Sequence, residues 1–224
     1  WDKLGSDIDG EASEDYSGRS VSLSNDGTRV AIGAPFNDGG GDSSGHVRIY
    51  DYNGTTWVQL GSDIDGEASD DRSGSSVSLS SDGTRVAIGA YLNDNIVDGT
   101  NRLDAGHVRL YDWNGSAWTQ VGYDIDGEAS LDRSGSSVSL SSDGTRVAIG
   151  AAINEGNGFH SGHVRLYSIV FQAPAPAAPA APAAPAAYYG PLPTNYSDRT
   201  PSIGDEVIIS GLRMNLVTSC TIDG

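Results

Sequence analysis

Residues 73–90 read SGSSVSLSSDGTRVAIGA, and residues 134–151 repeat that string letter for letter. Residues 17–34 differ from it only at Arg19 and Asn25. Each copy follows an acidic segment (SDIDGEASED, SDIDGEASDD or YDIDGEASLD) and precedes a variable stretch ending in GHVRIY or GHVRLY. The separation is 56 positions from Gly18 to Gly74 and 61 from Gly74 to Gly135; the difference sits in the variable stretch 91–105, which is longer than 35–44 or 152–161. A period of this length means one supersecondary unit per copy, with the core made by stacking copies.

Within a copy, Val77 and Leu79 alternate with Ser76, Ser78 and Ser80, a period of two that marks a strand. Asp82-Gly83 predicts a type I′ hairpin turn, which needs positive φ at both central positions. Residues 85–89 alternate again, residues 107–111 give a third strand, Asn114-Gly115 a second tight turn and residues 118–121 a fourth strand. No segment carries a helical period. Four short antiparallel strands per repeat predict a propeller blade rather than an internally duplicated sandwich, whose copies rarely stay so uniform.

The expected fold is therefore all-β, with three four-stranded antiparallel propeller-type blades over residues 1–168. Propellers usually close with roughly four to eight blades, so the expectation is an incomplete or open propeller. Residues 1–8 read as a fourth strand without its first three, and the third copy lacks the Trp-bearing strand after Tyr167. The numbered chain is thus expected to be a fragment or processed form, with blades missing upstream or with exposed ends covered by another chain.

The blade pattern SG-x-SVSLS-x-DG-x-x-VAIGA-P resembles the FG-GAP repeats of integrin-α-type propellers. Gly33-Ala34-Pro35 matches the GAP element; the other copies keep Gly89-Ala90 and Gly150-Ala151 and lose the proline. Ser-Gly at 17–18, 73–74 and 134–135 stands where the family has Phe-Gly. The resemblance implies an extracellular or cell-surface recognition or adhesion scaffold. Many members carry a DxDxDG calcium loop; here the matching turns are Asn25-Asp26-Gly27, Ser81-Asp82-Gly83 and Ser142-Asp143-Gly144, and one carboxylate each cannot replace the roughly six to eight oxygens calcium takes.

With 13 Lys+Arg against 30 Asp+Glu, the formal net charge is -17. Nucleic-acid binding, which needs a basic footprint, and docking on anionic lipid are both disfavoured. No apolar run approaches the roughly 20 residues of a membrane helix, so membrane insertion is not expected. The single Cys220 forbids an internal disulfide.

Residues 169–200 contain the run APAPAAPAAPAAPAA, an extended spacer because regular proline blocks helix and ladder alike. Such Ala-Pro runs also resemble glycosylated cell-wall segments. Residues 201–224 predict a strand at 207–209, a turn at Gly211-Leu212 and a second strand at 217–222, resembling the first strands of an IPT/TIG immunoglobulin-like domain. This fragment of an Ig-like β-domain is too short to bury its own core and would pair with a partner by strand addition.

Asp63, Asp65, Glu67, Asp70 and Asp71 form the best metal candidate, as carboxylates at alternate positions of one turn that could share a calcium ion; capping of turns is the plainer reading. Asn53, Asn114 and Asn195 head N-x-[ST] glycosylation sequons, the first two of which are also hairpin turns. His46, His107 and His163 occupy one strand position in all copies, which suits packing better than catalysis. The variable stretches are expected to share one rim, with Asn37, Asp38, Asp42, Asn93, Asp94, Asp98, Asn154, Glu155 and His160 as candidate ligand contacts. No GxSxG, HExxH, P-loop or strand–helix GxGxxG motif is present, so no enzyme activity is expected. The expected function is a non-enzymatic extracellular binding or adhesion module for glycans or other protein chains. The alternative is a subunit of an extracellular, glycosylated filament assembled by blade or strand pairing.

Overall fold

The computed structural model describes residues 1–97, 100–169, 207–209 and 212–214. The chain divides into two compact units, Trp1–Gln172 and Ala173–Gly224.

The first unit is three stacked antiparallel sheets, one per copy, with no helix among the described residues. The first holds β1 (Ser20–Leu23), β2 (Arg29–Ala34), β3 (His46–Tyr52) and β4 (Trp57–Gln59) in that order, and β5 (Ile64–Asp65) also pairs with β3. The second repeats this with β6 (Ser73–Leu79), β7 (Arg85–Ala90), β10 (His107–Trp113), β11 (Trp118–Gln120) and β12 (Ile125–Asp126). Its longer variable stretch folds into an extra hairpin, β8 (Asn95–Val97) with β9 (Thr100–Arg102), which the repeat pattern did not announce. The third sheet has β13 (Ser134–Leu140), β14 (Arg146–Ala151) and β15 (His163–Ser168). These are propeller-type blades, with one addition to the expected count. The first two sheets gain a fifth short strand, because the acidic segment bonds back to β3 and β10; the third has three strands, in keeping with the missing Trp-bearing strand after Tyr167.

The turns differ from the expected type I′. In the Asp82-Gly83 turn φ is positive only at Gly83, and the amide of Gly83 donates to the carbonyl of Ser80 (2.9 Å). The Asp82 carboxylate accepts from Ser80 Oγ (2.6 Å) and the Thr84 amide (3.0 Å), so the serine and aspartate tie a four-residue loop. Asp26 and Asp143 do the same work, and their carboxyls are held down to about 2, chiefly by the hydroxyls of Ser24 and Ser141. At Asn114-Gly115 the positive φ is again confined to the glycine, while Asn114 Oδ1 accepts from the amides of Ser116 and Ala117 (2.9 Å each).

Sheets stack face to face. Val47, Ile49 and Ile64 of the first meet Val77, Leu79, Val86 and Ile88 of the second. Ala87, Val108 and Leu110 on the reverse of the second meet Val147 and Ile149 of the third. Burying such a side chain fully contributes roughly 1.5–3 kcal/mol. The alternation of apolar residues with serine has a second consequence: the serines bond between sheets. Ser22 Oγ accepts from the Leu79 amide and Ser78 Oγ from the Leu140 amide, both at 2.9 Å. At the two ends of the stack, Val21 and Leu23 on one side and Val164 and Leu166 on the other are exposed.

In the second unit β16 (Val207–Ile209) pairs with β17 (Leu212–Met214), and Leu212, expected in the turn, is opposite Ile209. The Ala/Pro run, the expected strand at 217–222, Asp98 and Asn195 lie outside the described residues.

Candidate functional site

The acidic segments and the repeated histidines meet, but not as the sequence suggested. Asp63 ends the first sheet, whereas Glu67 has crossed to the second, so the five carboxylates of this segment do not converge on one ion. Asp63 joins Glu11 and His46, and Glu67 joins Asp124 and His107; within each trio the ligand-type atoms lie within 4.8 Å of one another. His46 Nδ1 is 3.6 Å from Asp63 and 3.8 Å from Glu11, and it has no hydrogen-bond partner. His107 Nδ1 is 3.5 Å from Asp124. In the third copy His163 has Glu128 at 3.7 Å. Of the remaining carboxylates, Asp65 and Asp70 are exposed, and Asp71 is buried and caps the turn through the Ala68 amide (3.2 Å).

Each trio offers two carboxylates and an imidazole nitrogen, a set that suits calcium poorly and a softer divalent ion better. An arginine competes for the glutamate: Arg48 Nη1 stands 3.3 Å from Glu11, and Arg109 Nη1 3.1 Å from Glu67. Burial lowers the His46 imidazole below its ordinary range and pushes the Glu67 carboxyl up. In each of the two trios only the histidine is buried, so they are polar joints at the blade ends, with an imidazole held neutral by its burial beside exposed or half-buried carboxylates.

That neutrality predicts a pH dependence. Burial, helped by the Arg109 guanidinium and opposed by Asp124, drives His107 down to about 4. The unfolded chain takes up this proton near pH 6.5, the folded one only near 4, so stability is full at neutral pH and falls as pH drops through this window. A shift of that size corresponds to about 3 kcal/mol. Thermal melts of the wild type and of His107→Gln should converge as pH falls from 7 to about 4.5; parallel profiles would remove the buried neutral histidine from the account.

The candidate rim residues separate into two groups. Asn37 and Asn93 are buried and spent: their Nδ2 groups donate to Asp15 and Asp71, each at 2.9 Å. Asn154 is buried as well and accepts from the Gly156 amide (2.9 Å). These three asparagines fold the loops rather than face a ligand, because a loop crossing a sheet end needs its own polar groups satisfied. Asp38, Asp42, Asp94, Glu155 and His160 are exposed. His160 stacks on Phe159 with ring centroids 3.8 Å apart. Asn53 and Asn114 are exposed at hairpin tips.

Inside this rim lies a cavity of about 420 Å³ to which all three copies contribute. Pro35, Phe36, Tyr91, Ala152 and Ile153 come from the points where the variable stretches leave β2, β7 and β14, and Arg19, Arg72 and Arg133 complete the wall. Arg72 sits over the Phe36 ring at 4.5 Å and donates to Tyr91 Oη at 3.0 Å. Arg133 lies 5.8 Å from the Tyr91 centroid. Both arginines have positive φ, 55° and 53°, an uncommon left-handed backbone held by bonds from their amides to the Ser43 and Asp104 carbonyls. Sequence reasoning passed over these arginines. Their signal was present, since Arg19 is one of two departures in its copy and cations are scarce in this chain.

Residues 7–50 match the FG-GAP repeat family. The matched stretch runs from the first acidic segment through β3, one blade without its outer strands. Among solved structures, TolB from Acinetobacter baumannii is similar, with a TM-score of 0.37 and 14% identity, over 70% of this chain and 30% of that one. The chain thus spans about 30% of the length of TolB, and a likeness of this degree carries no argument about function. No curated protein matches the chain. The comparisons give the C-terminal segment no IPT/TIG relative. No helix among the described residues is long and apolar enough to cross a membrane.

Proposed function

We propose that this chain is a non-enzymatic, extracellular binding module on a propeller-type scaffold, holding its ligand where the variable stretches leave the inner strands. One observation carries the reading: the three copies agree in their strands, differ in their loops, and line one shared cavity at the loop bases. Ligand pockets of roughly 300–1,000 Å³ on rigid elements with variable rims are the ordinary form of a recognition site. The FG-GAP match supports the scaffold and the extracellular setting.

A second reading, the filament subunit, is favoured by the ends of the stack. Exposed Val21 and Leu23 correspond in the repeat to Val77 and Leu79, which pack on the preceding sheet; exposed Val164 and Leu166 correspond to Val108 and Leu110, which pack on the following one. Another blade, on this or a neighbouring chain, would fit either end by the same contacts.

One experiment addresses both. The labelled chain is applied to an array of glycans and peptides, and its mass is followed by sedimentation. Binding to a restricted set, lost on Ile153→Asp at the loop base lining the cavity without loss of thermal stability, supports the binding module. An absence of binding, with head-to-tail polymers that dissolve on Leu23→Asp, supports the filament.

A further inference from the structure

Resting on the binding-module reading, we propose that the shared cavity is an oxyanion site, and that its ligand is the carboxylate- or sulfate-bearing ring of an acidic sugar. The argument begins with charge. The chain carries 30 acidic residues against 13 Lys+Arg, so a guanidinium left without a carboxylate is against expectation. Arg29, Arg48, Arg85, Arg109 and Arg165 each stand within 4.0 Å of one. Arg19, Arg72, Arg102, Arg133 and Arg146 have no such partner among the described residues; of these, Arg19, Arg72 and Arg133 line one cavity, which no carboxylate lines.

Each copy supplies one of these arginines, but not by simple repetition. Arg72 and Arg133 occupy one repeat position, where the first copy has Tyr16; the first copy instead carries Arg19, where the others have Ser75 and Ser136. Three cations therefore reach one cavity by two routes. The Nε groups of Arg72 and Arg133 are buried without a hydrogen-bond partner, as are those of Arg109 and Arg165 elsewhere; what distinguishes the cavity is three guanidinium groups with no carboxylate among its lining residues. A guanidinium fork is matched to planar or tetrahedral oxyanions.

The other walls describe the rest of the ligand. Phe36, Tyr91, Pro35 and Ile153 give an apolar surface for the C–H face of a ring, and Ser75 and Ser136 offer hydroxyls. A cavity of about 420 Å³ falls in the roughly 300–1,000 Å³ range of small-molecule sites. The acidic exterior repels a long polyanion, so the site selects a short or terminal acidic sugar rather than an extended polysaccharide.

Isothermal titration of the chain with glucuronate, its neutral twin glucose and inorganic sulfate tests the assignment. Glucuronate should bind and glucose should not. Arg72→Gln or Arg133→Gln should weaken glucuronate binding by about tenfold each, the loss expected for one charge-assisted hydrogen bond. Arg19→Ala, at an exposed position that carries no fold contact of this kind, should weaken it while leaving the melting temperature unchanged, so the test survives if the other variants misfold. Arg146→Gln, exposed and outside the cavity, should leave it intact. Sulfate binding that depends on the same arginines, without glucuronate binding, upholds the oxyanion site and overturns the sugar. Glucose binding as well as glucuronate, or indifference to all three arginines, overturns the oxyanion site while the binding module stands. If no probe binds but the array still retains a ligand in a way that depends on Ile153, this assignment fails alone; if the array is also blank, both fail.

Discussion

Replacing Gly89 with alanine is expected to cost about 3 kcal/mol of stability, whereas the same change at Gly150 is expected to alter it by less than about 1 kcal/mol. The two glycines occupy the same place in the identical string SGSSVSLSSDGTRVAIGA. A Cβ on Gly89 would overlap the carbonyl oxygen of Gly135 in the next sheet as well as Ser76 Oγ, which itself donates to that carbonyl (2.8 Å). Backbone cannot rotate away, so the two sheets must separate and the contact between Ala87, Val108, Val147 and Ile149 must loosen with them. A Cβ on Gly150 would meet only Ser137 of its own sheet, whose hydroxyl can turn aside. Gly33, over the Gly74 carbonyl, should behave like Gly89. Urea unfolding of the three variants reads the difference, and equal losses at Gly89 and Gly150 would overturn the close sheet approach as its cause.

Arg85→Ala is expected to cost about 2–3 kcal/mol and Arg146→Ala less than about 0.5 kcal/mol. Arg85 is nearly buried and grips Asp112 with Nε and Nη2, at 2.6 Å each, while Nη1 donates to the Gly144 carbonyl of the next turn at 2.6 Å. Its removal strands a carboxylate and an acceptor together; the loss is smaller than for a fully enclosed pair because the Asp112 side chain is 38% exposed. Arg29 makes the same bridge to Asp51 and the Gly83 carbonyl. Arg146, by contrast, is exposed, and the residue opposite it is Ser168 rather than an aspartate. Denaturant melts of Arg85→Ala, Asp112→Ala and the double variant give the coupling directly. A coupling near zero would mean that the bridge adds nothing beyond packing.

Both comparisons set identical sequence against different surroundings, and this divides what was legible in the chain from what was not. The period, the alternation of Val and Leu with Ser, and the turn glycines announced antiparallel strands stacked copy on copy. The β8–β9 hairpin was not announced, because it lies in the one stretch without a counterpart. The turn type was misjudged because Asp82 contributes its carboxylate to the loop, not a left-handed backbone. The acidic segment was seen as a site, yet its carboxylates are shared out between neighbouring sheets. Sequence order cannot show that Asp63 closes one blade while Glu67 opens the next.

The sequence by itself determined the all-β class and the repeating blade unit, since both follow from local periodicity. Only the tertiary structure decided which polar residues are spent and which are free. Asn37 and Asn93 looked like ligand contacts and are consumed in holding Asp15 and Asp71. Arg19, Arg72 and Arg133, far apart along the chain, come to one cavity without a counter-charge. The reason is physical: strand pattern is written at intervals of two residues and read locally, whereas the partner of a polar group is fixed by how distant strands and loops pack, as Asn37 meets Asp15 across 22 positions and Arg85 meets Asp112 across 27.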